Sequence, residues 1–375
     1  MSNLVIKDII SQFAIYGEFL GARPFGNGHI NDTFLSCWNQ AGTEVRYTHQ
    51  RINHNVFTHP DKVMDNILRV TNHIAGKNRE AGIRDWNRRS LTVVPAKDGK
   101  PFARDVAGNW WRSYLFIENS HTRDTASTPE EAFLLGEETG LFQKQLADFP
   151  LPRLHDTILY FHNMEKRYLL FYEALKKDSR NRAGNAVLEI EFMRENEERG
   201  ALFIRRERPL PERVCHNDTK MNNILLDNND LKALCMIDLD TVMPGSSLFD
   251  LGDLIRTAAN RAAEDERDIS LVEFDIEFFK SLLKGYLSQA KHFLASDEIS
   301  LLAESGRYIT QIMGLRFLTD YLSGDQYYRV KRPDHNLDRC RTQIALINSM
   351  DRKWDAVLEA ERMVYEQTEN QNGVS

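Results

Sequence analysis

The sequence predicts an α+β protein in two lobes, a small antiparallel sheet with one main helix followed by a larger, mainly helical part. Two observations predict this class. Alternating apolar residues separated by glycine and asparagine turns occupy the first 117 residues, whereas apolar residues recur at helical spacing after Pro129. We therefore expect an N-terminal lobe at residues 1–117 and a C-terminal lobe at residues 118–375.

Composition narrows the function classes. The chain has 375 residues, of which 42% are hydrophobic and 27% charged, and its net charge is −7. This acidic balance argues against general binding to nucleic acid or anionic membranes, and no apolar run reaches the roughly 18 residues of a membrane-spanning helix. The four cysteines lack C-x-x-C spacing and the N-terminus lacks a signal-peptide pattern, which predicts no zinc site and a cytoplasmic location. The charge pattern indicates no protein partner.

The predicted N-terminal lobe contains five strands. The first ends near Pro24, and the others cover residues 32–38, 44–52, 91–95 and 110–117. An amphipathic helix at 4–15 precedes them, and the main helix covers 60–75. Gly26 and Gly28 lie in the turn between the first two strands, where backbone amides can approach nucleotide phosphates.

The C-terminal lobe is predicted to be helical around one β-hairpin. Its helices cover residues 129–147, 161–178, 183–199, 272–293 and 297–323. The hairpin pairs Ile224–Leu226 with Ala233–Ile237 through an Asx-rich turn.

The residues that flank this hairpin carry the strongest functional signal. His216, Asp218 and Asn223 have the H-x-D-x-x-x-x-N spacing of the catalytic loop of protein-kinase-like phosphotransferases, and Asp238 ends the second hairpin strand. Phosphoryl transfer requires positioning and charge neutralisation more than covalent chemistry. Asp218 can accept the proton of an attacking hydroxyl, while Asn223 and Asp238 offer the oxygen ligands that Mg²⁺ prefers. The pattern predicts ATP as co-substrate and Mg²⁺ as cofactor.

The motifs also carry a family resemblance. HNDTKMNN and IDLDTVMPGSSLFDLGD resemble the aminoglycoside phosphotransferase and choline kinase superfamily, small-molecule kinases with a protein-kinase-like bilobal fold. FGNGHINDTF, QRINHNVFTHPDKVMDNI, YLFIENSHT, LYFHNMEKR and MGLRFLTDYLSGDQYY are similar to N-acetylhexosamine 1-kinases, and the similar segments run from about Gly26 to Arg341. This resemblance implies transfer of the ATP γ-phosphate to the anomeric hydroxyl of N-acetylglucosamine or N-acetylgalactosamine.

The resemblance assigns a role to each motif residue. Asp218 matches the catalytic base, Asn223 a magnesium ligand, and Asp238 the metal-binding acid of the kinase D-F-G position. His216 is implied as a structural member of the loop. Lys220 is either a cation beside the transferring phosphoryl group or a solvated loop lysine.

Other residues receive supporting roles. Asp250 and Asp253 are expected to hold the metal loop in place rather than touch metal. Arg256 is either their partner or a cation on a helix face. Glu118 lies in the predicted connector between the lobes, where a kinase binds adenine.

The third strand departs from the kinase pattern. A kinase carries a lysine there for the α- and β-phosphates, paired with an acid on the following helix. Here Gln50 occupies that position, and Arg51 faces the other side if the strand is regular. Either Gln50 contacts the phosphates or a bulge turns Arg51 inward, with Asp65 as the candidate helix acid.

The acceptor site is expected between the catalytic loop and the helical lobe, with polar side chains in front of aromatic or apolar faces. The candidates are His29, Asn31 and Asp32 from the glycine loop, and Arg316, Asp320 and Tyr321 from the last predicted helix.

Three other interpretations remain open. The first is a kinase of another small alcohol, such as an aminoglycoside, choline or homoserine; a cationic acceptor calls for an acidic pocket, which the candidate positions do not offer. The second is a metal-dependent phosphohydrolase using His216, Asp218 and Asp238, which needs further histidines at ligand spacing. The third is a pseudokinase that acts as a binding module, favoured only by the third strand.

Overall fold

The structure analysed is a computed structural model, and it describes residues 3–26, 30–205 and 209–370. The chain divides into two compact units, which we call the sheet unit (residues 1–120, 150–158 and 237–243) and the helical unit (residues 121–149, 159–236 and 244–375). The predicted α+β class is confirmed, because an antiparallel sheet dominates the first unit and helices dominate the second.

The sheet unit contains a six-stranded sheet with the order β1-β2-β3-β6-β4, in which β5 also pairs with β6. Every pairing is antiparallel. The strands are β1 (Glu18–Pro24), β2 (Asp32–Gln40), β3 (Thr43–Ile52), β4 (Val93–Val94), β5 (Ala103–Arg104) and β6 (Trp110–Leu115). The helices are α1 (Asn3–Ile10) and α2 (Pro60–Glu80).

The prediction of five strands missed β5. This strand is two residues long, too short for a periodic pattern, and the turn that follows folds it back onto β6. The turn is built by Asp105, whose Oδ1 accepts the backbone N–H groups of Ala107 and Asn109, and by Gly108 at φ +82°.

The two faces of the sheet have different roles. One face is packed with α1, where Ile9, Ile10 and Phe13 join Trp38 and Trp111 in a buried core. Burial of an apolar side chain of this size contributes about 1.5–3 kcal/mol. Because side chains alternate along a strand, the opposite face carries the polar residues of β3 and β6 that bear on function.

The helical unit is built from ten helices among the residues described. They are α3 (Pro129–Gln145), α4 (Met164–Lys177), α5 (Val187–Glu195), α6 (Glu197–Ile204), α7 (Ser247–Ala258), α8 (Ile276–Ala290), α9 (Ser296–Ile299), α10 (Leu302–Ser323), α11 (His335–Arg352) and α12 (Trp354–Asn370). The remaining short strands are β7 (Ser120–His121), β8 (Arg213–Cys215), β9 (Ile224–Asp227), β10 (Ala233–Met236) and β11 (Met243–Gly245). The predicted catalytic hairpin is the β9–β10 pair.

Two helices of this unit approach each other closely because glycine occupies the contact. A Cβ atom on Gly136 of α3 would lie 2.0 Å from the Leu282 carbonyl oxygen, and one on Gly285 of α8 would lie 2.0 Å from that of Phe133. Any larger residue at either position would force α3 and α8 apart. In the part of the chain that the structure describes, no helix combines the length and apolarity needed to cross a membrane.

Candidate active site

The catalytic loop lies between β8 and β9 in the helical unit, and Asp218 is at its centre. Asn223 donates to Asp218 Oδ2 at 3.0 Å, and Lys220 Nζ lies 3.2 Å from the same oxygen. Burial alone would raise the pKa of Asp218, but Lys220 and His216 outweigh it, so that this pKa is lowered. Asp218 is therefore ionised at neutral pH, as a proton acceptor must be.

His216 and Asp250 hold this loop. Asp250, on α7, accepts the backbone N–H of His216 at 3.1 Å and that of Asn217 at 2.7 Å, while its backbone oxygen accepts the Thr219 hydroxyl at 2.5 Å. The buried ring of His216 accepts the backbone N–H of Asp218 at 3.3 Å. Asp250 thus holds the catalytic loop itself, whereas the sequence analysis expected it to hold the metal loop.

A buried histidine supports the most strained residue of the loop. Asn217 adopts φ +65°, which only glycine takes up without cost. The carbonyl oxygen of Asn217 accepts from His162 Nε2 at 2.8 Å. Burial lowers the pKa of His162 to about 3, so the ring is neutral and its hydrogen-bonded nitrogen carries the proton.

Asn223 is oriented for a metal ion by Asp218. Its amide nitrogen donates to both the side chain and the backbone oxygen of Asp218, at 3.0 and 2.8 Å. This leaves Oδ1 as the acceptor atom of the amide, and an amide oxygen is a normal Mg²⁺ ligand. Asn223 Oδ1 is therefore an atom of the type that the predicted ion prefers.

Asp253 forms an ion pair with Arg256. This contact decides between the two roles predicted for Arg256, a partner of the acidic residues or a cation on a helix face. The Arg256 Nε donates to Asp253 Oδ1 at 2.9 Å, and its Nη1 contacts Glu264 at 2.8 Å. Burial raises the pKa of Asp253, and Arg256 opposes the shift. Arg256 is an ion-pair partner and not a solvated cation.

The part of the helical unit around Arg316 combines half-buried cations with aromatic rings. The Arg316 guanidinium lies 4.5 Å from the centre of the Phe161 ring and 5.6 and 5.5 Å from those of Tyr327 and Tyr328. Arg167 donates to the Phe161 carbonyl oxygen at 2.7 Å. Among the described residues, neither arginine has a carboxylate within 4.0 Å. Burial and the neighbouring Arg316 lower the pKa of Arg167 to about 10.

This cluster interacts electrostatically with Asp218, the predicted base. Burial opposes the charge of Arg316, but the two tyrosines together with Asp218 and Asp253 stabilise it, and its pKa is raised. The positive charge of Arg316 therefore interacts with the carboxylate of Asp218. The sequence analysis selected Arg316 but missed Phe161, Tyr327 and Tyr328, although all three lie in segments that carried the family resemblance.

Asp320 and Tyr321, the other two acceptor-site candidates of α10, have partners of their own. Asp320 is buried, and its oxygens accept the backbone N–H groups of Tyr327 at 2.8 Å and Tyr328 at 2.9 Å. It therefore shapes the segment that carries the tyrosines. Tyr321 lies on a different helix face, where its hydroxyl donates to Asp334 at 3.1 Å. The assignment of these residues to the acceptor site stays a prediction.

The sheet unit carries Asp238 at the start of the segment that follows β10. Asp238 adopts a left-handed conformation, φ +59° and ψ +54°, and precedes a 3₁₀ turn at Leu239–Thr241. Asp240, two residues later, forms a buried ion pair with Arg112 of β6 and accepts from Asn31 Nδ2 at 2.6 Å. Its neighbour Val242 is held through the carbonyl oxygen, which accepts from Asn66 of α2 at 2.8 Å.

The third strand is regular, which excludes the bulge considered for Arg51. β3 pairs with β2 and β6 without interruption through Gln50 and Arg51. Gln50 donates to Thr33 at 3.1 Å and accepts from Arg112 at 2.9 Å on one face. Arg51 faces the other side of the sheet and donates to Asp32 at 2.9 Å. Arg51, a candidate for the phosphates, and Asp32, a candidate for the acceptor site, therefore bind each other.

The other candidates of the sheet unit have these positions. Both polar atoms of the Asn31 side chain form hydrogen bonds. Its Oδ1 accepts the Asn53 N–H at 3.0 Å, and its Nδ2 donates to Asp240. Gly26 adopts φ +76°, and a Cβ there would meet open space. Gly28 and His29 lie outside the described residues.

Asp65 and Glu118 have partners other than a third-strand lysine. Asp65 of α2 lies 3.2 Å from His155 Nε2 and 3.7 Å from Arg69. Glu118 accepts from Arg46 Nε at 2.9 Å, and the Arg46 guanidinium lies over Phe116 at 4.6 Å. The acid partner of the buried cation in this sheet is Asp240, not Asp65.

The sequence and the fold of this chain resemble those of known proteins. Residues 22–279 match the APH family, described as the phosphotransferase enzyme family. The fold resembles an aminoglycoside phosphotransferase from Alicyclobacillus acidocaldarius subsp. acidocaldarius DSM 446, with TM-score 0.57, 12% identity and coverage of 99% of this chain and 98% of that chain. It also resembles Plasmodium vivax ethanolamine kinase, with TM-score 0.56, 14% identity and coverage of 91% and 85%. A choline kinase from Cryptosporidium parvum Iowa II gives TM-score 0.55, 14% identity and coverage of 96% and 99%.

Proposed function

Since the chain belongs to the phosphotransferase enzyme family and is a small-molecule kinase with ATP as co-substrate, we propose that it phosphorylates the anomeric hydroxyl of an N-acetylhexosamine. The product is the sugar 1-phosphate. Asp218 takes the proton of that hydroxyl, and the oxygen attacks the γ-phosphorus of ATP in line while the bond to ADP breaks. Asn223 and Asp238 would hold Mg²⁺, which supplies charge neutralisation on the phosphates.

The observation that carries this proposal is the cluster around Arg316. Arg316 and Arg167 are cations without a carboxylate partner among the described residues, and Arg316 lies over the rings of Phe161, Tyr327 and Tyr328. Guanidinium groups donate to hydroxyl and amide oxygens, and aromatic rings pack against the apolar face of a sugar. Such a cluster suits a neutral N-acetylated sugar.

The same cluster disfavours a cationic acceptor. Ethanolamine kinases and choline kinases have the same fold and are named for amine substrates. A quaternary or primary ammonium group near Arg316 would meet like charge in a partly buried site, which costs free energy. The resemblance of LYFHNMEKR and LSGDQYY to N-acetylhexosamine 1-kinases supports the sugar assignment for the same segments.

An acceptor panel tests this proposal. ATP consumption would be measured with N-acetylglucosamine, N-acetylgalactosamine, glucose, choline, ethanolamine and kanamycin at equal concentrations. We expect turnover of an N-acetylated sugar and none of the amines. D218N should lower kcat by about a hundredfold to ten-thousandfold, because it removes the proton acceptor.

The panel has a matched control and two contrary outcomes. Asp297, an exposed acid of α9, provides D297N as the same chemical change outside the site. Turnover confined to choline, ethanolamine or kanamycin would retain a kinase and refute the sugar acceptor. Release of phosphate from ATP or a phosphate ester without any phosphorylated acceptor would favour the phosphohydrolase interpretation.

A further inference from the structure

The sheet unit lacks the cation that a kinase carries on its third strand. The strand pairs in regular register with β6 from Tyr47 to Ile52, and Gln50 occupies the position expected for lysine. Arg51 cannot take its place, because it faces the other side and donates to Asp32 at 2.9 Å. The position on β3 where a kinase carries its lysine is therefore uncharged, and the cation on the same face, Arg46, pairs with Glu118.

Arg112 places a cation at this position from the neighbouring strand. It is the direct cross-strand partner of Gln50, and its side chain is 0% exposed. Its Nε donates to Gln50 Oε1 at 2.9 Å, so the glutamine orients the guanidinium. A guanidinium stays charged when buried and offers several donors in one plane.

The other end of this guanidinium holds the segment that begins with Asp238. Arg112 Nη1 pairs with Asp240 Oδ1, and both side chains are buried. Asn31 fills the second oxygen of Asp240 at 2.6 Å. Asp240 is thus fully used for anchoring, and it lies two residues from the left-handed Asp238.

Two observations indicate that the ion pair with Asp240 does not satisfy the whole guanidinium of Arg112. Arg112 Nη2 and the hydroxyl of Tyr114 are buried, and neither has a hydrogen-bond partner among the described residues. The Arg112 guanidinium lies 5.4 Å from the Tyr114 ring. Burial lowers the pKa of Arg112, but the negative charges of Asp240 and Asp238 more than offset this effect, and the net pKa lies above the ordinary value. Asp238 is therefore close enough to interact with the charge of Arg112.

We propose that Arg112 is the positioning residue that replaces the third-strand lysine: through Asp240 it fixes the Asp238 segment, and it supplies the positive charge beside Asp238 when magnesium nucleotide binds. This inference rests on the kinase function but not on the identity of the acceptor. A fixed segment keeps the Asp238 carboxylate in one arrangement, and the nearby cation offsets part of the negative charge that the phosphates bring.

Nucleotide binding tests the proposal without any acceptor. Dissociation constants for MgADP and for adenosine would be measured by calorimetry on the full chain. Adenosine lacks phosphates, so its affinity reports whether the nucleotide lobe is intact. A group that acts on the phosphates and metal changes the MgADP affinity alone, whereas a purely structural residue changes both.

The variants remove or relocate the charge while keeping the buried pair balanced. R112M/D240N removes both charges, so that no unpaired carboxylate is left in the core. Q50K/R112M moves the cation to the third strand and keeps Asp240 paired. R104M is the control, because Arg104 is an exposed arginine of β5 that stacks on Trp110 at 3.9 Å.

We expect R112M/D240N to weaken MgADP binding by about tenfold or more and adenosine binding by less than about twofold. Q50K/R112M should bind MgADP within about threefold of the parent protein, and R104M should equal it. A well-folded R112M/D240N that binds MgADP as the parent does overturns the proposal. If R112M/D240N does not melt cooperatively, the binding data for Q50K/R112M decide between the two outcomes. A loss of MgADP affinity by about tenfold in Q50K/R112M, with adenosine binding intact, overturns the proposal.

This outcome is independent of the acceptor. If no N-acetylated sugar is phosphorylated, the proposed function fails while the binding data still decide the role of Arg112. If the sugar is phosphorylated and the variants bind MgADP unchanged, the proposed function survives and the role of Arg112 fails.

Discussion

Asp250 of α7 accepts the backbone N–H of Asn217 at 2.7 Å, and this contact fixes the residue that precedes Asp218, the proposed base. Asn217 is in the left-handed region at φ +65°, a conformation that persists only when its surroundings impose it. Asp250 also accepts the N–H of His216 and the amide of Gln143, at 3.1 and 3.0 Å. One buried carboxylate therefore determines the shape of the loop that positions Asp218.

The first prediction concerns that carboxylate. D250N replaces an acceptor oxygen by an amide N–H₂ that faces backbone donors, so the loop loses a hydrogen bond and buries an unsatisfied group. We expect the free energy of unfolding to fall by about 1–3 kcal/mol and kcat to fall with it. Urea denaturation and initial-rate kinetics measure both. D297N is the control on an exposed helix; equal stability of the two variants would contradict the role of Asp250.

The second prediction concerns the pH dependence of the base. Burial raises the pKa of Asp218, and Lys220 at 3.2 Å with His216 more than offsets this, so the net pKa lies below the ordinary carboxyl value. The acidic limb of kcat/KM should therefore fall below about pH 4, where a free aspartate titrates. K220M removes the main opposing charge and should move that limb to higher pH.

The control for this shift is K280M, because Lys280 pairs with Glu277 on an exposed part of α8. Its acidic limb should coincide with that of the parent protein. An unchanged limb in K220M would show that Lys220 does not act on the ionisation of Asp218.

The third prediction concerns acceptor choice. R316M keeps a long apolar side chain over Phe161 but removes the guanidinium. We expect kcat/KM for the N-acetylated sugar to fall by about tenfold to a hundredfold, because hydrogen bonds to a charged donor are lost, and discrimination against choline to narrow. R199M is the control, since Arg199 forms a surface pair with Asp351. A sugar kcat/KM that stays at the parent value in R316M would refute this assignment.

The fourth prediction concerns stability in acid. Burial lowers the pKa of both His49 and His162 to about 3. An unfolded histidine titrates near pH 6.5, so between about pH 6.5 and 3 the unfolded chain binds more protons than the folded one. Each buried histidine therefore lowers stability as pH falls, by about 1.4 kcal/mol per pH unit.

H162Q tests this dependence, because glutamine can still donate to the Asn217 carbonyl oxygen but does not titrate. The free energy of unfolding should decline less steeply between about pH 6 and 4.5 in H162Q than in the parent protein. The comparison isolates His162, since carboxyl groups whose pKa is raised by burial, such as Asp250, act in the opposite direction in both proteins. H292Q, at an exposed histidine of the segment after α8, should keep the parent slope.

The sequence predicted those parts of the site that are local in the chain. Asp218 and Asn223 are five residues apart in one loop, and their spacing predicted that both belong to one site; the structure adds a hydrogen bond between them at 3.0 Å. The hairpin β9–β10 was predicted because its Asx-rich turn and apolar strands are contiguous. Features formed by residues that are close in the sequence can be predicted without knowing the fold.

The features that were missed depend on distant pairings. Arg112 is 62 residues from Gln50, and only the register of β3 with β6 brings them together. Likewise, Asp320 reaches the backbone of Tyr327 and Tyr328 only because the chain turns back after α10. Register and chain reversal are set by the whole sheet or helix packing, so spacing in the sequence does not reveal them.

Helices α7, α11 and α12 were also missed, and for α11 the composition of its buried face explains why. α11 buries polar residues, among them Asn336, Thr342 and Gln343, so no apolar stripe marks its inner face. Asn336 donates to Asp320 at 2.9 Å, and this contact within the helical unit satisfies its buried amide. A pattern based on hydrophobicity alone does not detect such a helix.

The most direct test of the central claim is the phosphorus NMR spectrum of the product formed from N-acetylglucosamine and MgATP, measured beside the methyl glycoside of the same sugar. The glycoside keeps every ring hydroxyl except the anomeric one. The account predicts a phosphate signal coupled to the anomeric proton with the free sugar, no product with the glycoside, and none from D218N. A phosphorylated glycoside, or a phosphate on any other hydroxyl of the free sugar, would contradict it.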